Sequence, residues 1–592
     1  MDILGISCYF HDAAAVLLRD GQVIAAAEEE RFSRRKHDYR FPTAAIQFCL
    51  TRGGIRAEEL DYVAFFEKPF IKFERLLFSI LQTFPRSRRV FQESMMSWLT
   101  DKLWVKNLLH AKLGVSSDKI LFSEHHLSHA ASAFLCSPFD EAAILTVDGV
   151  GEWATATYGV GKGTDITLQH EITFPHSLGL LYSAFTAFLG FEVNEGEYKV
   201  MGMAPFGDPK YLDKVYKLIS VERDGSFQLN MDYFCFHHST DRTYNAKFVE
   251  LFGPPRDPQA HFFTLASGYP SYFGDRPANY AELAQSNQHY ADIAASIQVA
   301  TEETLLKMAH HLHRETGLTK LCMAGGVALN SVANGRILRE TPFEELYVQP
   351  SAGDGGGAMG AALWAYHTVL GQPRQFVLDH AYWGEEYDRG TIEAFLTMHQ
   401  LRYQRIDDDD KLIERVIEHL AAGKVVGWFQ GRFEWGPRAL GNRSILADPR
   451  RAEMKDIVNT KIKFREPFRP FAPSILEEHT AGFFGLSEPT RHYPARFMLY
   501  VVDVHEDKRE VIPAITHVDG TGRLQTVSRG TNPRYYQLIQ QFGRATGVPV
   551  VLNTSFNLKG EPIVNTPEEA FSTFNRCGMD VLVLDHCLLQ KP

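Results

Sequence analysis

Short apolar runs alternate with polar bends from the first residues of the chain. A strand over residues 3–8, a bend at Phe10-His11-Asp12, a strand over 14–18, an Asp20-Gly21 turn and a strand from Gln22 predict a meander of paired strands. The pattern returns at 142–173, where the apolar run AAILTV leads into the bend Asp148-Gly149-Val150-Gly151-Glu152. The strands WATATYGV and DITLQHEITF, joined by GKGT, follow it. A strand-loop-hairpin that occurs twice, each time with an acid in its first bend, predicts an internal duplication.

Further along, the apolar spacing changes to three and four. Ile293, Ile297, Ala300, Thr304, Met308 and Leu312 fall on one face of a long helix. A strand LCMA, the Gly325-Gly326 loop, a helix from Asn330 and a strand ELYVQP follow, and the loop Gly353-Asp354-Gly355-Gly356-Gly357 opens another helix. Strands alternating with helices predict an α/β fold. Two related halves suggest, by analogy, the duplicated actin-like ATPase and sugar-kinase architecture. The pattern weakens over 371–395, which divides the chain into domains at 1–375 and 376–592. The second is again α/β, with strands at 425–430, 497–504 and 548–552 and helices near 452–461 and 533–546.

Composition narrows the class. The chain has 592 residues, 45% of them hydrophobic and 22% charged, which fits a globular protein of two or more domains. Its net charge of −11 gives no reason to expect a nucleic-acid or membrane-surface partner. Seven scattered cysteines without a CxxC pair predict reduced thiols. The sequence MDILGISCYFHDAAAV lacks the layout of a leader, and no apolar run reaches about 18 residues. A soluble cytoplasmic protein is expected.

Chemistry enters with EHHLSHAASAF. On a helix His125 and His129, four residues apart, share one face and can chelate one ion; His126 with His129 is the competing pair. Asp148 at a strand end and Asp354 in the opposite half complete a mixed nitrogen and oxygen set suited to Fe(II), Mn(II) or Zn(II). Three glycine loops, around Gly149, Gly325-Gly326 and Gly353, offer backbone N–H groups to phosphate oxygens. NEGEYKVMGMAPFGDP reads as a loop that closes Lys199 over an anion. Eleven basic and five acidic residues between Lys424 and Arg469 make an island with a surplus of six positive charges inside a negative chain. Interleaved aromatics there hold guanidinium groups for phosphate or carboxylate. Arg523, and Asn553 and Ser555 at the end of a strand, add polar groups to it. No GxSxG elbow, Walker loop or HExxH pair is present.

Taken in order, HHLSHAASAF, DGVGEW, NEGEYKVMGMAPFG, GGVALN, GDGGGAMGAA, FQGRFEWGPRALGNRSILADPR, KFREPFRPFAPS and VLNTSFNLKGEPIV make the chain resemble the bacterial O-carbamoyltransferases of the nodulation-factor and antibiotic type, from about residue 2 to 585. The resemblance implies an actin-like (ASKHA) first domain, similar to the tRNA threonylcarbamoyl-transferring subunit, and a YrdC-like second domain. It implies that the second domain converts carbamoyl phosphate and Mg-ATP to carbamoyl adenylate, and that the iron-holding first domain moves the carbamoyl group to a hydroxyl of a natural product or glycan. By motif, His125, His129, Asp148 and Asp354 would be the metal ligands. Gly179, Lys199, Gly207, Gly325, Gly326 and Asn330 would line the carbamoyl-adenylate pocket. Arg432, Arg438, Lys461, Arg465, Arg523, Asn553 and Ser555 would hold carbamoyl phosphate and ATP, and His11 and Asp12 would orient or deprotonate the acceptor. The competing readings are a tRNA threonylcarbamoyl transferase, opposed by the single-chain fusion and the negative charge, and a non-enzymatic ATP-dependent binding protein, which leaves the Arg-rich second domain without a task.

Overall fold

The computed structural model describes residues 1–100, 102–466 and 468–591; Pro467, within the KFREPFRP stretch, lies outside the described residues. The chain forms two compact units. The first comprises residues 1–29, 37–266 and 281–378, and the second 30–36, 267–280 and 379–592.

The first unit contains the duplication as two five-stranded sheets. In one, β1 (Asp2–Ser7) pairs antiparallel with β2 (Ala14–Arg19), which pairs antiparallel with β3 (Gln22–Glu28). On its other edge β1 runs parallel to β4 (Tyr62–Phe65), and β4 to β5 (Ile120–Phe122). In the other sheet, β6 (Glu141–Val147), β7 (Ala154–Lys162) and β8 (Asp165–Thr173) form the antiparallel meander. Parallel to β6 lie β9 (Lys320–Ala324) and then β10 (Glu345–Tyr347). Order and direction are the same in both sheets. Their central strands are buried on both faces, which is why they read as apolar runs rather than alternations.

Two helices exchanged between the halves fill the interior. Helix α1 (His125–Phe134) follows β5 yet packs on β6, β7 and β9, while α6 (Asp354–Leu363) follows β10 and packs on β1, β2 and β4. The two helices also touch each other, and Gly360 in the run GGGAMGAA permits that contact. A Cβ built on Gly360 would lie 1.8 Å from the carbonyl oxygen of Ser128 on α1. Gly360→Ala is therefore expected to destabilise the unit by about 1–3 kcal/mol through overpacking, seen calorimetrically as a lower unfolding midpoint; Gly482→Ala, in open space, is expected to cause no comparable loss.

After β8 the chain forms α2 (Leu178–Phe188), α3 (Glu197–Met203) and the 37-residue α4 (Tyr280–Thr316), and α5 (Ser331–Glu340) connects β9 to β10. The stretch around Lys199, expected as a loop, is helical. The Glu197 carboxylate takes the Asn194 N–H at 3.0 Å and the Ser183 hydroxyl at 2.9 Å, which starts the turn on α2.

The second unit has one mixed eight-stranded sheet. Its strands are β11 (Gln404–Arg405), β12 (Val426–Phe429), β13 (Arg443–Ala447), β14 (Ala472–Leu476), β15 (Gln525–Val527), β16 (Val550–Ser555), β17 (Val581–Leu584) and β18 (Cys587–Gln590), in the order 11-18-17-12-13-16-14-15. Helices α7 (Asp409–Ala421) and α8 (Pro533–Thr546) bury Leu412, Val416, Leu538 and Phe542 against Trp428, Leu446 and Val551. Asp408 and Asn532 cap them through their side chains. Of the strand expected at 497–504 only Val501–Asp503 forms, because the chain turns at Phe497 and Met498, the latter at φ +57°. No helix among the described residues is long and apolar enough to cross a membrane.

Candidate metal centre and anion site

Four side chains from both halves meet inside the first unit. Helix α1 lacks a side-chain cap of its own, and Glu152 takes its place: the carboxylate accepts the His125 N–H at 3.0 and 3.1 Å and the Lys68 N–H at 2.7 Å. The DGVGE bend thus holds the helix that carries the histidines. At the start of the same bend, Asp148 divides its oxygens. Oδ1 accepts the Gly326 N–H at 2.7 Å, and Oδ2 lies 3.2 Å from His125 Nε2 and 3.8 Å from His129 Nε2. Asp354, the first residue of α6, brings Oδ1 to 3.6 Å from both Nε2 atoms.

The arrangement calls for positive charge. The Nε2 atoms of His125 and His129 stand 3.0 Å apart, so their lone pairs repel unless a proton or cation lies between them. Asp354 is 0% exposed, and neither of its carboxylate oxygens receives a hydrogen bond, a costly state for a buried charge. Burial opposes a charge on His129, but the nearby carboxylates of Asp148 and Asp354 outweigh it and raise its pKa to about 9. One ligand atom from each of the four residues lies within 4.8 Å of the others. Donors around an ion with bonds near ~2.1 Å are separated by roughly 3–4.2 Å, so two imidazoles and two carboxylates fit a divalent first-row ion after small adjustments.

His126 does not belong to this set. Its Nδ1 lies 2.6 Å from Thr146 Oγ1 of β6, and burial followed by the two neighbouring histidines lowers its pKa to about 3. The structure thus brings His125 and His129, rather than His126, together with the two carboxylates.

His11 and Asp12 border the cluster. His11 Nδ1 contacts Asp12 Oδ2 at 3.0 Å, and its Nε2 is 3.6 Å from Asp354 Oδ2. His37 Nδ1 reaches the other Asp12 oxygen at 2.7 Å. Although burial disfavours the His11 cation, Asp354 and Asp12 raise its pKa to about 10.

The residues assigned to an adenylate pocket occupy neighbouring positions. Gly179 packs on the Asp148–Gly149 backbone, and its helix is capped by Ser177, which also donates to Gly149 O at 2.7 Å. Gly325 has φ +95° and touches the Val147 carbonyl, a place where a side chain would be both strained and blocked. Asn330 caps α5 and exchanges hydrogen bonds with Gln298 of α4 at 3.1 Å, while Tyr182 donates to Gln298 at 2.7 Å. Ser331 contacts Met201 Sδ at 3.8 Å, which sets α3 beside this cap. Lys199, on α3, lies 5.6 Å from the Phe191 ring centre, and Gly207 packs on Ala291 of α4. In the third glycine loop, Gly356 and Gly357 pack against Gln349, Ser351 and Phe66, so close helix packing accounts for them as well as phosphate does.

In the second unit the basic island divides into two groups. Arg443 is buried and donates to the carbonyls of Gln430, Gly431, Asn442 and Glu385 over the Phe429 ring, and Arg450 pairs with Asp448 at 2.7 Å. Arg451 donates to Ala421 O. These three arginines are engaged by groups of the fold itself. Arg432 donates to Gly384 O at 2.9 Å and Trp383 O at 2.5 Å; Arg465 donates to the Asn459 side chain at 2.9 Å beside the Phe471 ring. Arg438 and Arg523 are half-buried. Asn553 sits within β16 rather than past its end, with its amide on Gln525 Oε1 at 2.9 Å and Ala439 O at 3.2 Å.

Lys463 is the residue that sequence reasoning did not single out. A π-helical turn, Asn459–Lys463, ends at Phe464 with φ +46°. It leaves Lys461 exposed along Gly578 and turns Lys463 inward, where only 4% of it is exposed. Lys463 Nζ contacts Ser555 O, Ser555 Oγ at 3.2 Å, Asn557 O at 3.1 Å and Asn557 Oδ1 at 2.8 Å. Burial, followed by the charges of Arg465 and Arg469, holds its pKa well below the ordinary lysine value.

Residues 2–363 match the family described as Carbamoyltransferase N-terminus, and residues 417–591 the one described as Carbamoyltransferase C-terminus. An uncharacterized protein of Synechocystis is 48% identical over 100% of this chain and 96% of its own length. The nodulation protein NolNO of Sinorhizobium fredii is 40% identical over 98% of this chain and 79% of its own. A 3'-hydroxymethylcephem-O-carbamoyltransferase of Streptomyces clavuligerus is 34% identical over 49% of this chain and 53% of its own.

Proposed function

This chain belongs to the carbamoyltransferase family and is a transferase enzyme; from that premise we propose that it is an O-carbamoyltransferase which uses carbamoyl phosphate and Mg-ATP to modify a hydroxyl of a small natural product or glycan. The observation that carries the reading is the buried meeting of His125, His129, Asp148 and Asp354. In the first half-reaction water cleaves carbamoyl phosphate to carbamate and phosphate, and the carbamate oxygen then bonds to the α-phosphorus of ATP, displacing pyrophosphate and giving carbamoyl adenylate. In the second the acceptor oxygen bonds to the carbamoyl carbon, AMP leaves, and the hydroxyl proton is released.

Each unit has groups suited to one half-reaction. Two sheets of one order with exchanged helices support an actin-like ATPase architecture for residues 1–375. Lys463, Arg465 and Ser555 support an anion-activating role for residues 376–592, on a sheet we read as YrdC-like. An ion on the four ligands, iron(II) by the resemblance, with manganese or zinc as alternatives, would supply Lewis acidity toward the carbamoyl oxygen. The Gly326 N–H holds Asp148 Oδ1 at 2.7 Å and so fixes this ligand, while backbone N–H groups around Gly149 and Gly179 would be offered to the leaving phosphate. His11 is the group placed to take the hydroxyl proton: with the charge of Asp354 neutralised, one of the main attractions that raise its pKa is removed. Asp12, between His11 and His37, fixes the ring. Seven buried cysteines, none of them in a disulfide, suit a reducing cytoplasm.

Incubation with carbamoyl phosphate, Mg-ATP and a panel of aminoglycosides, macrolides, ansamycins and oligosaccharides is expected to add one carbamoyl unit to an acceptor by mass spectrometry. Failure to release pyrophosphate from ATP when carbamoyl phosphate is supplied would sink the adenylate route.

A further inference from the structure

Elsewhere in the first unit a cavity of about 360 Å³ opens between the β7–β8 ribbon and the end of α4. Tyr158 of β7, His170 and Glu171 of β8, Asp224 of a nearby turn, and His311 and Glu315 of α4 line it. None of them takes part in the chemistry described above.

Three features make this more than an acidic patch. The Tyr158 side chain is only 8% exposed, and its hydroxyl has no hydrogen-bond partner. Buried hydroxyls without a partner are uncommon because the lost hydration is not replaced. Asp224 is fixed in advance: its Oδ1 accepts the Ser226 N–H at 2.9 Å and the Ser226 hydroxyl at 2.6 Å, which keeps the carboxyl ionised and leaves Oδ2 for another donor. The turn that carries it is pressed onto α4 through Gly225, at φ +81°, where a Cβ would lie 2.5 Å from the Met308 nitrogen. Finally, His311 and His170 stand 6.0 and 6.5 Å from the Tyr158 ring and line the same cavity as the carboxylates.

Aromatic walls with three carboxylates suit an organic cation, whose ammonium groups pair with the acids while its carbon chain lies along the rings. A bare metal ion suits them less. Among the described residues, the groups of acidic and histidine ligand atoms close enough to chelate an ion lie elsewhere. We propose that this cavity binds a small organic cation bearing primary or secondary ammonium groups, with Asp224 and Glu315 as its counter-charges and the Tyr158 hydroxyl as a hydrogen-bond partner.

Titration calorimetry of the full chain with spermidine at 0.15 M salt tests this. The expected result is saturable one-to-one binding that Asp224→Asn and Tyr158→Phe each weaken tenfold or more. Glu315→Gln, at an exposed position that the fold does not depend on, is expected to weaken it at least threefold, and Glu282→Gln, an exposed acid outside the cavity, to leave it unchanged. Absence of saturable heat overturns the proposal. So does equal weakening by Glu282→Gln, which means attraction to net charge alone, and so does displacement of spermidine by stoichiometric magnesium, which means a metal site.

Discussion

His129→Ala is expected to remove stoichiometric metal from the purified enzyme and to lower carbamoyl transfer about 1,000-fold or more, the loss of several kcal/mol of electrostatic stabilisation, while carbamoyl-phosphate-dependent release of pyrophosphate from ATP continues. The metal loss follows from geometry. Without His129, one Nε2 and two carboxylates remain, and the cation-binding face of α1 is halved. Alanine is a good helix former within HHLSHAASAF, so α1 itself is retained. Continued pyrophosphate release follows because the residues assigned to that step, Lys463, Arg465 and Ser555, belong to the other unit. Elemental analysis and the two half-reaction assays read the outcome, and His126→Ala serves as the comparison because His126 points to Thr146. Retention of metal by the His129 variant, or equal loss of both half-reactions, would contradict this division of labour.

The parts of this site that could be read from sequence are those set by local periodicity. A helix places residues four apart on one face, so His125 and His129 were a pair before any fold was known; a strand end followed by a glycine bend exposes an acid, so Asp148 and Asp354 were candidates. The choice against His126 was not legible from spacing, because i,i+3 and i,i+4 neighbours both share a face. It depends on Thr146, a strand residue 20 positions away. Glu152 was visible as part of the DGVGE bend, but its work at the N-terminus of α1 is a long-range contact that leaves no local signal. The same holds for the order of the two sheets. The repeated hairpins were legible, whereas the exchange of α1 and α6 between the sheets follows from tertiary packing at Gly360 and Ser128. The net charge of the basic island was also readable. Which arginines are used up on carbonyl groups, as Arg443 is, depends on how β12 and β13 pair.

The alternate lysines of KIKFREP show this limit most sharply and lead to the second large effect. In a regular helix Lys461 and Lys463 differ by about 200°, and sequence does not say which points inward; the π-helical turn before Phe464 decides for Lys463. Lys463→Met is expected to lower carbamoyl-adenylate formation by about 100- to 1,000-fold, the range for loss of one preorganised group at developing phosphate charge, and to leave transfer from supplied carbamoyl adenylate within twofold. Lys461→Met, at an exposed position, is expected to change neither step by more than twofold. The pH dependence has a definite sign. In the free enzyme burial lowers the Lys463 pKa, so the amine tends toward its neutral form; an adjacent phosphate dianion favours the charged form and raises that pKa. Binding of carbamoyl phosphate therefore takes up a proton, and its affinity falls as pH rises through the pKa of the complex. Calorimetry at pH 7.5 in two buffers of different ionisation enthalpy reads the uptake directly. Uptake that persists in Lys463→Met, or a loss of adenylation that follows Lys461 instead, would show that another group holds the anion.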